Sequence, residues 1–279
     1  MLLLPILLTI TAPATPVRVA TLVPYVAEAV GRVGPPAELV ATVRRDLRTP
    51  PPPPTIDLGN PHSPSFEKLA EARPSLVVGE RALHGALSER LGRGGPEVLL
   101  VDSTSVAETF AGLLEVGRRV ERQEAMQTEV AAAERALDGL RLESSVPTLI
   151  LFGTPGSFMV MSSRTWLGDL AVRLGYTNVA AGLDGGEKHP GFVQLSDETI
   201  AGLRPELVLL VAHGDPDAIR AAFRGRVDPG GSWAALGTGA RRGVHVLPAD
   251  VFGSNPGLQM PEAARRLRDL AAPQVGHRP

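Results

Sequence analysis

A long-range repeat constrains the fold of this chain more than any other feature of its sequence. The stretch "SFEKLAEARPSLVV" at Ser65–Val78 matches "SDETIAGLRPELVL" at Ser196–Leu209 without a gap, at an offset of 196 − 65 = 131 positions. The identical pairs are Ser65/Ser196, Glu67/Glu198, Ala70/Ala201, Arg73/Arg204, Pro74/Pro205, Leu76/Leu207 and Val77/Val208. Repeats of roughly 20–50 residues indicate solenoids, so one repeat at this much larger distance predicts two similar lobes of domain size.

Apolar runs of strand length alternate with helical patterns in both halves. The first half carries "VRVATL", "SLVVGE" and "EVLLVD", and the second half carries "TLILFG", "LVLLVA" and "GVHVLP". Strands that alternate with helices favour parallel sheets. We therefore predict an α/β fold of two similar lobes with mostly parallel sheets, an N-terminal lobe over 15–104 and a C-terminal lobe over 146–279. Ser63 and Pro64 resemble the cap and first residue of a helix.

The segment between the lobes predicts a helix. From Ser105 to Leu142 there is no proline, and apolar residues recur at helical spacing. One long backbone helix over 105–145 would join the lobes and would extend roughly 55 Å at 1.5 Å per residue. The alternative is two helices broken at Gly117, because a glycine costs only about 1 kcal/mol of helix propensity.

Composition excludes several classes of function. The 279-residue chain has a formal net charge of −2, which gives no reason to expect nucleic acid or an anionic membrane as a partner. It has no cysteine, which excludes disulfides, iron–sulfur clusters, cysteine nucleophiles and a lipid-modified N-terminal cysteine.

The N-terminus is typical of a short secretory signal. An apolar run leads to Ala12-Pro13-Ala14, a small-residue cleavage pattern, so we predict a signal peptide over 1–14 and an exported protein without a lipid anchor. No lysine or arginine precedes the apolar run. A buried first strand, or a different start codon, is the alternative.

Two histidines stand where predicted strands end. His62 follows the strand "TIDLG", and His213 follows the buried strand "LVLLVA". Open α/β sheets bind ligands beyond the carboxyl ends of their strands, and neutral imidazole ligates metals and haem iron. A capping or surface role is the ordinary alternative for a histidine in a loop. No G-x-S-x-G nucleophile elbow and no H-E-x-x-H zinc pair is present, so the sequence does not predict an enzyme.

Three stretches carry a resemblance to a known family: "SPSFEKLAEARPSLV", "LILFGTPGSFMVMSSRTWLGDLAVRLGYTNV" and "RPELVLLVAHGDPDAIRAAF". From Val17 onward the chain resembles the substrate-binding proteins of metal-chelate ABC importers, which include cobalamin, siderophore and haem receptors. Its nearest likeness is to the haem-receptor lipoproteins of Gram-positive iron-regulated surface haem uptake. The resemblance implies a monomeric, extracytoplasmic receptor that captures haem between its lobes. It also implies delivery of the haem, as transported ligand, to an ABC permease dimer with its ATPase.

The resemblance also implies roles for particular residues. His213 occupies the place of the histidine that binds haem iron in those receptors, and His62 stands where they have an axial methionine. The remaining candidate ligand-binding residues are Met159, Met161, Ser162 and Arg164, the last two with Ser163 as propionate partners. Glu67 and Glu198 match the paired glutamates that dock on permease arginines.

Two alternatives remain open from the sequence. The same class of receptor could carry a ferric siderophore or a cobalamin. A tetrapyrrole-handling enzyme such as a chelatase would need an acid or base in the cleft, for which Glu187 and His189 are the candidates.

Overall fold

The computed structural model describes residues 15–44, 54–154, 156–183 and 191–271. The signal peptide predicted over 1–14 and the residues Glu187 and His189 lie outside these ranges.

The N-terminal lobe is built on a five-stranded parallel sheet in the order β3-β2-β1-β6-β7. Its strands are β1 (Val17–Thr21), β2 (Ala37–Thr42), β3 (Ile56–Asp57), β4 (Gly59–Asn60), β5 (Ser63–Pro64), β6 (Leu76–Glu80) and β7 (Glu97–Val101), of which β4 and β5 form a separate small hairpin. Its helices are α1 (Pro24–Val33), α2 (Phe66–Ala72), α3 (Arg81–His84) and α4 (Ser88–Leu91), with a 3-10 turn at Gly85–Leu87.

The C-terminal lobe has a mixed sheet in the order β11-β9-β8-β12-β13, with β10 also pairing with β8. Its strands are β8 (Val146–Thr154), β9 (Ser157–Met161), β10 (Tyr176–Asn178), β11 (Phe192–Val193), β12 (Leu207–Ala212) and β13 (Val244–Leu247). The chain adds two connecting helices, α5 (Val106–Arg119) and α6 (Gln123–Asp138), and then α7 (Trp166–Leu174), α8 (Asp197–Gly202), α9 (Pro216–Val227), α10 (Ala234–Gly239), α11 (Ala249–Phe252) and α12 (Met260–Ala271). A 3-10 turn at Gly257–Gln259 precedes α12. The α/β architecture of two lobes is as the sequence predicts.

The repeat forms the same unit in both lobes. Ser65 accepts a hydrogen bond from the Lys68 amide at the start of α2, and Ser196 accepts one from the Thr199 amide at the start of α8. Each helix leads into a strand, β6 or β12, that lies inside its sheet and is covered on both faces. Burial on both faces explains the continuous apolar runs.

The lobes share one core rather than meeting at a thin contact. A single apolar cluster includes Val19 and Leu76 of the first sheet, Ile150 of the second, and Leu113 and Leu137 of α5 and α6. Each sheet buries its other face in a smaller cluster of its own.

Two features differ from the sequence predictions. The single long helix is wrong: Glu121 adopts the left-handed conformation (φ 57°) and separates α5 from α6. The alternative break at Gly117 has the wrong position, although a Cβ there would stand 2.5 Å from Met126 Cβ, so Gly117 allows the close approach of α6. The helix expected to start at Ser63 begins at Phe66, because Ser63 and Pro64 are extended and pair with β4.

Candidate functional site

His62 lies at the tip of a small hairpin in the N-terminal lobe. β4 and β5 pair through Asn60 and Ser63, which leaves Pro61 and His62 as the two residues of the turn. The His62 amide donates to Asn60 Oδ1 at 2.8 Å, an Asx contact that favours this turn. The His62 side chain is exposed, so the hairpin presents an imidazole at the surface of the lobe.

A second histidine supports this turn from inside the lobe. His84 is fully buried, its Nδ1 accepts the Glu80 amide at 2.8 Å, and its Nε2 lies 3.0 Å from the Pro61 carbonyl oxygen. Because Nδ1 is an acceptor, the neutral ring carries its proton on Nε2 and donates it to Pro61. Desolvation by burial lowers the pKa of His84, which keeps this tautomer neutral. A role for His84 could not be predicted from the sequence, because the contact between His84 and Pro61 depends on tertiary structure.

His213 lies directly beyond the carboxyl end of β12. Its amide donates to the Gly153 carbonyl at 2.8 Å, and its ring stacks on Phe152 with centroids 5.2 Å apart and an interplanar angle of 30°. The His213 side chain is exposed to solvent. Partial desolvation nevertheless lowers its pKa, as expected for a side chain on the wall of an open cleft.

An electrostatic interaction links His62 of the N-terminal lobe to His213 of the C-terminal lobe. The charge of His62 is the second cause that lowers the pKa of His213, so the imidazoles are within electrostatic range. We call the gap between the Pro61–His62 turn and the carboxyl end of β12 the cleft. A lowered pKa keeps the His213 imidazole neutral, which is the form that ligates iron.

Aromatic side chains that sequence reasoning missed line the C-terminal side of the cleft. Phe152, which stacks on His213, also contacts Phe192 edge-on, with the ring centroids 5.3 Å apart. Met159, a predicted ligand-binding residue, is opposite Phe152 in the ladder and is partly exposed. These side chains form an apolar floor beside His213. In the sequence, Phe152 appears only as one more apolar residue of a strand. That pattern does not show which face of the sheet is open to a ligand.

Two of the predicted ligand-binding residues are buried, so the prediction is wrong for both. Met161 is 3% exposed and belongs to the shared core. Ser162 is fully buried, and its Oγ accepts the Arg164 amide at 3.2 Å, so this hydroxyl stabilises the turn before α7. Neither side chain is available to a ligand in the cleft. The Arg164 side chain is exposed at the same turn.

Two depressions in the described ranges lie away from the cleft. One of about 620 Å³ follows the edge strand β13 between α9 and α12, and another of about 420 Å³ lies beside Arg32, Glu129 and Arg265. Neither is lined by His62 or His213. The cleft differs from both depressions, because it combines an imidazole from each lobe with an aromatic floor.

The two candidate docking glutamates have matched positions. Glu67 is the second residue of α2, Glu198 is the second residue of α8, and both side chains are exposed. The fold therefore presents one carboxylate per lobe at equivalent sites.

The family model described as "Periplasmic binding protein" matches residues 41–224, which is most of both lobes. The chain belongs to the periplasmic binding protein family. Family members of this kind are transport substrate-binding proteins that work outside the cytoplasm with an ABC permease and its ATPase. None of the helices in the described ranges is both long and apolar enough to cross a membrane.

Individual proteins are also similar to this chain in sequence or in structure. The high-affinity heme uptake system protein IsdE of Staphylococcus aureus is 19% identical over 219 residues, which cover 77% of this chain and 73% of IsdE. The crystal structure of S. aureus IsdE complexed with heme superposes with a TM-score of 0.75 at 18% identity, covering 91% of this chain and 98% of that one. The petrobactin-binding protein YclQ of Bacillus subtilis superposes with a TM-score of 0.72 at 13% identity, covering 94% of each chain.

Proposed function

We propose that this periplasmic binding protein captures haem in the cleft and delivers it to an ABC permease. The observation that carries the proposal is the pair of imidazoles, His62 and His213, that the two lobes bring within electrostatic range. Haem iron takes one axial ligand on each side of the porphyrin plane, so ligands from opposite lobes suit it.

The surroundings of the pair fit a porphyrin. A flat, mostly apolar macrocycle would lie against Phe152 and Phe192 beside His213, and apolar lining with few polar anchors is typical of ligand sites. The exposed Arg164 is a candidate partner for a propionate. Because methionine ligation raises the potential of haem iron, a bis-imidazole site would hold the iron at a lower potential than a histidine–methionine site.

Delivery would use the matched glutamates. Glu67 and Glu198 would each contact one subunit of a permease dimer, and charge complementarity would mainly set orientation and encounter rate. Asp197, next to Glu198, is held by Arg226 at 2.7 Å and by Trp233 Nε1 at 2.9 Å. These contacts fix the start of α8, where the Glu198 side chain is exposed. We expect a monomeric receptor that works outside the cytoplasm.

A ferric siderophore is the second candidate ligand, because YclQ, named a petrobactin-binding protein, shares the fold. Anionic siderophore chelates favour several cationic anchors, whereas the cleft offers two imidazoles, an aromatic floor and one cationic candidate, Arg164. Haem is therefore the better match to the described residues.

Haem titration of the purified protein tests the proposal. We expect a sharp Soret shift that saturates at one haem per protein, is lost in His213→Ala, and changes position in His62→Ala. His245→Ala is the matched control, because His245 lies on β13 and bonds to the Arg242 carbonyl instead of facing the cleft. Binding of ferric siderophores or cobalamin without any haem signal would replace haem with those ligands. Haem binding that is unaffected by both cleft variants would contradict the proposed site.

A further inference from the structure

We propose that His84 is a positioning residue for the candidate haem site: its hydrogen bond to the Pro61 carbonyl holds the turn that presents His62. This inference rests on the proposed function, because it concerns how the N-terminal axial ligand is aimed. The residue itself would not touch the ligand, since its side chain is fully buried.

The turn needs such support. The hairpin has only two paired residues on each strand, and a hairpin of this size is not stable by itself. Two hydrogen bonds act on the dipeptide at its tip: Asn60 Oδ1 accepts the His62 amide, and His84 Nε2 donates to the Pro61 carbonyl. The first bond is internal to the hairpin. The second ties the hairpin to the body of the lobe.

The donor on His84 is itself held in place. The Glu80 amide donates to Nδ1 at 2.8 Å, which fixes both the ring orientation and the Nε2–H tautomer. A Cβ on Gly79 would stand 3.2 Å from His84 Cβ and 3.1 Å from Leu100, so the glycine leaves the ring just enough room. Glu80 is anchored in turn, because the Ser103 hydroxyl donates to its carboxylate at 2.7 Å. His84 therefore joins the end of β6 to the ligand-bearing turn.

Two substitutions separate the two bonds of the ring. In His84→Gln the terminal amide can still donate to Pro61, while in His84→Asn the side-chain oxygen can still accept from Glu80 but the side chain is too short to reach Pro61. We expect haem-loaded His84→Gln to keep the six-coordinate spectrum of the wild type. We expect His84→Asn to gain five-coordinate, high-spin haem and to bind haem about tenfold more weakly, the lower end of the effect of removing an outer partner of a metal ligand.

A double variant distinguishes positioning from a purely structural role. In a His62→Ala background, His84→Asn should cause no further change in haem spectrum or affinity, because the residue it positions is absent. Equal losses in both backgrounds, or losses in His84→Gln and His84→Asn that simply follow their melting temperatures, would overturn the inference.

Amide exchange of the ligand-free protein keeps the inference testable even if no haem binds. Faster exchange of the His62 amide in His84→Asn than in His84→Gln would support it, and equal exchange would refute it. Failure of the wild type to bind haem would instead contradict the proposed function.

Discussion

Replacing Asn255 with alanine tests how firmly the two lobes are held together. Asn255 follows α11 in the C-terminal lobe, and its Nδ2 donates to the Ser103 carbonyl at 3.2 Å and to Thr109 Oγ1 at 2.8 Å. Its Oδ1 accepts the Gly257 amide at 2.9 Å. The site is buried, so Asn255→Ala would remove three hydrogen bonds and leave their partners unpaired. At about 1 kcal/mol each, the free energy of unfolding should fall by about 3 kcal/mol.

The measurement is thermal unfolding combined with haem affinity. For a protein of this size a loss of about 3 kcal/mol lowers the melting temperature by roughly 6–12 °C. Asn178→Ala is the matched control: Asn178 is also buried, but its two bonds, to the Met161 carbonyl and the Ala180 amide, lie within the C-terminal lobe. Both variants should be destabilised, and only Asn255→Ala should weaken haem binding, because it alone loosens the relation of His62 to His213. A melting temperature within 2 °C of the wild type, which corresponds to less than about 1 kcal/mol, or equal haem affinities in the two variants, would refute this reasoning.

Three further predictions concern the cleft, the docking residues and the packing of α7. His62→Ala should raise the pKa of His213, followed by NMR, because one of the two causes that lower this pKa is removed; an unchanged pKa would place the rings too far apart to share a ligand. Glu67→Ala and Glu198→Ala should leave haem affinity unchanged and slow transfer to permease in vesicles, while slower transfer caused by weaker haem binding would contradict a docking role. Gly168→Ala should cost about 1–3 kcal/mol in urea unfolding, because its Cβ would overlap a backbone carbonyl of the preceding turn; wild-type stability would exclude that contact.

Much of the fold could be predicted because it depends on local patterns. Strands such as β12 are buried on both faces, so they appear in the sequence as unbroken apolar runs. The sequence repeat correctly predicted two equivalent helix–strand units, and Ser65 and Ser196 cap the helices of these units. The break between α5 and α6 could not be predicted, because it depends on Glu121 in a left-handed conformation and no glycine or proline marks it.

The candidate site was harder to predict than the fold. His62 and His213 could be chosen because each follows a predicted strand, but their electrostatic contact required the two lobes to be assembled. Met161 shares a strand face with Met159 but belongs to the core between the lobes, and Ser162 lies in the turn after β9, so the structure buries both. Alternation along the strand does not predict how far that core extends. The role of Phe152 depends on its stacking with His213, a contact between β8 and the residue after β12 that no local pattern reveals.

Electron paramagnetic resonance of the oxidised haem complex tests most directly whether one iron is held by an imidazole from each lobe. We expect the wild type to be low-spin and six-coordinate, and His62→Ala, which keeps His213 as a ligand, to become high-spin. Added free imidazole should restore the low-spin signal in His62→Ala. A high-spin wild type, or a low-spin His62→Ala complex without added imidazole, would contradict ligation from both lobes.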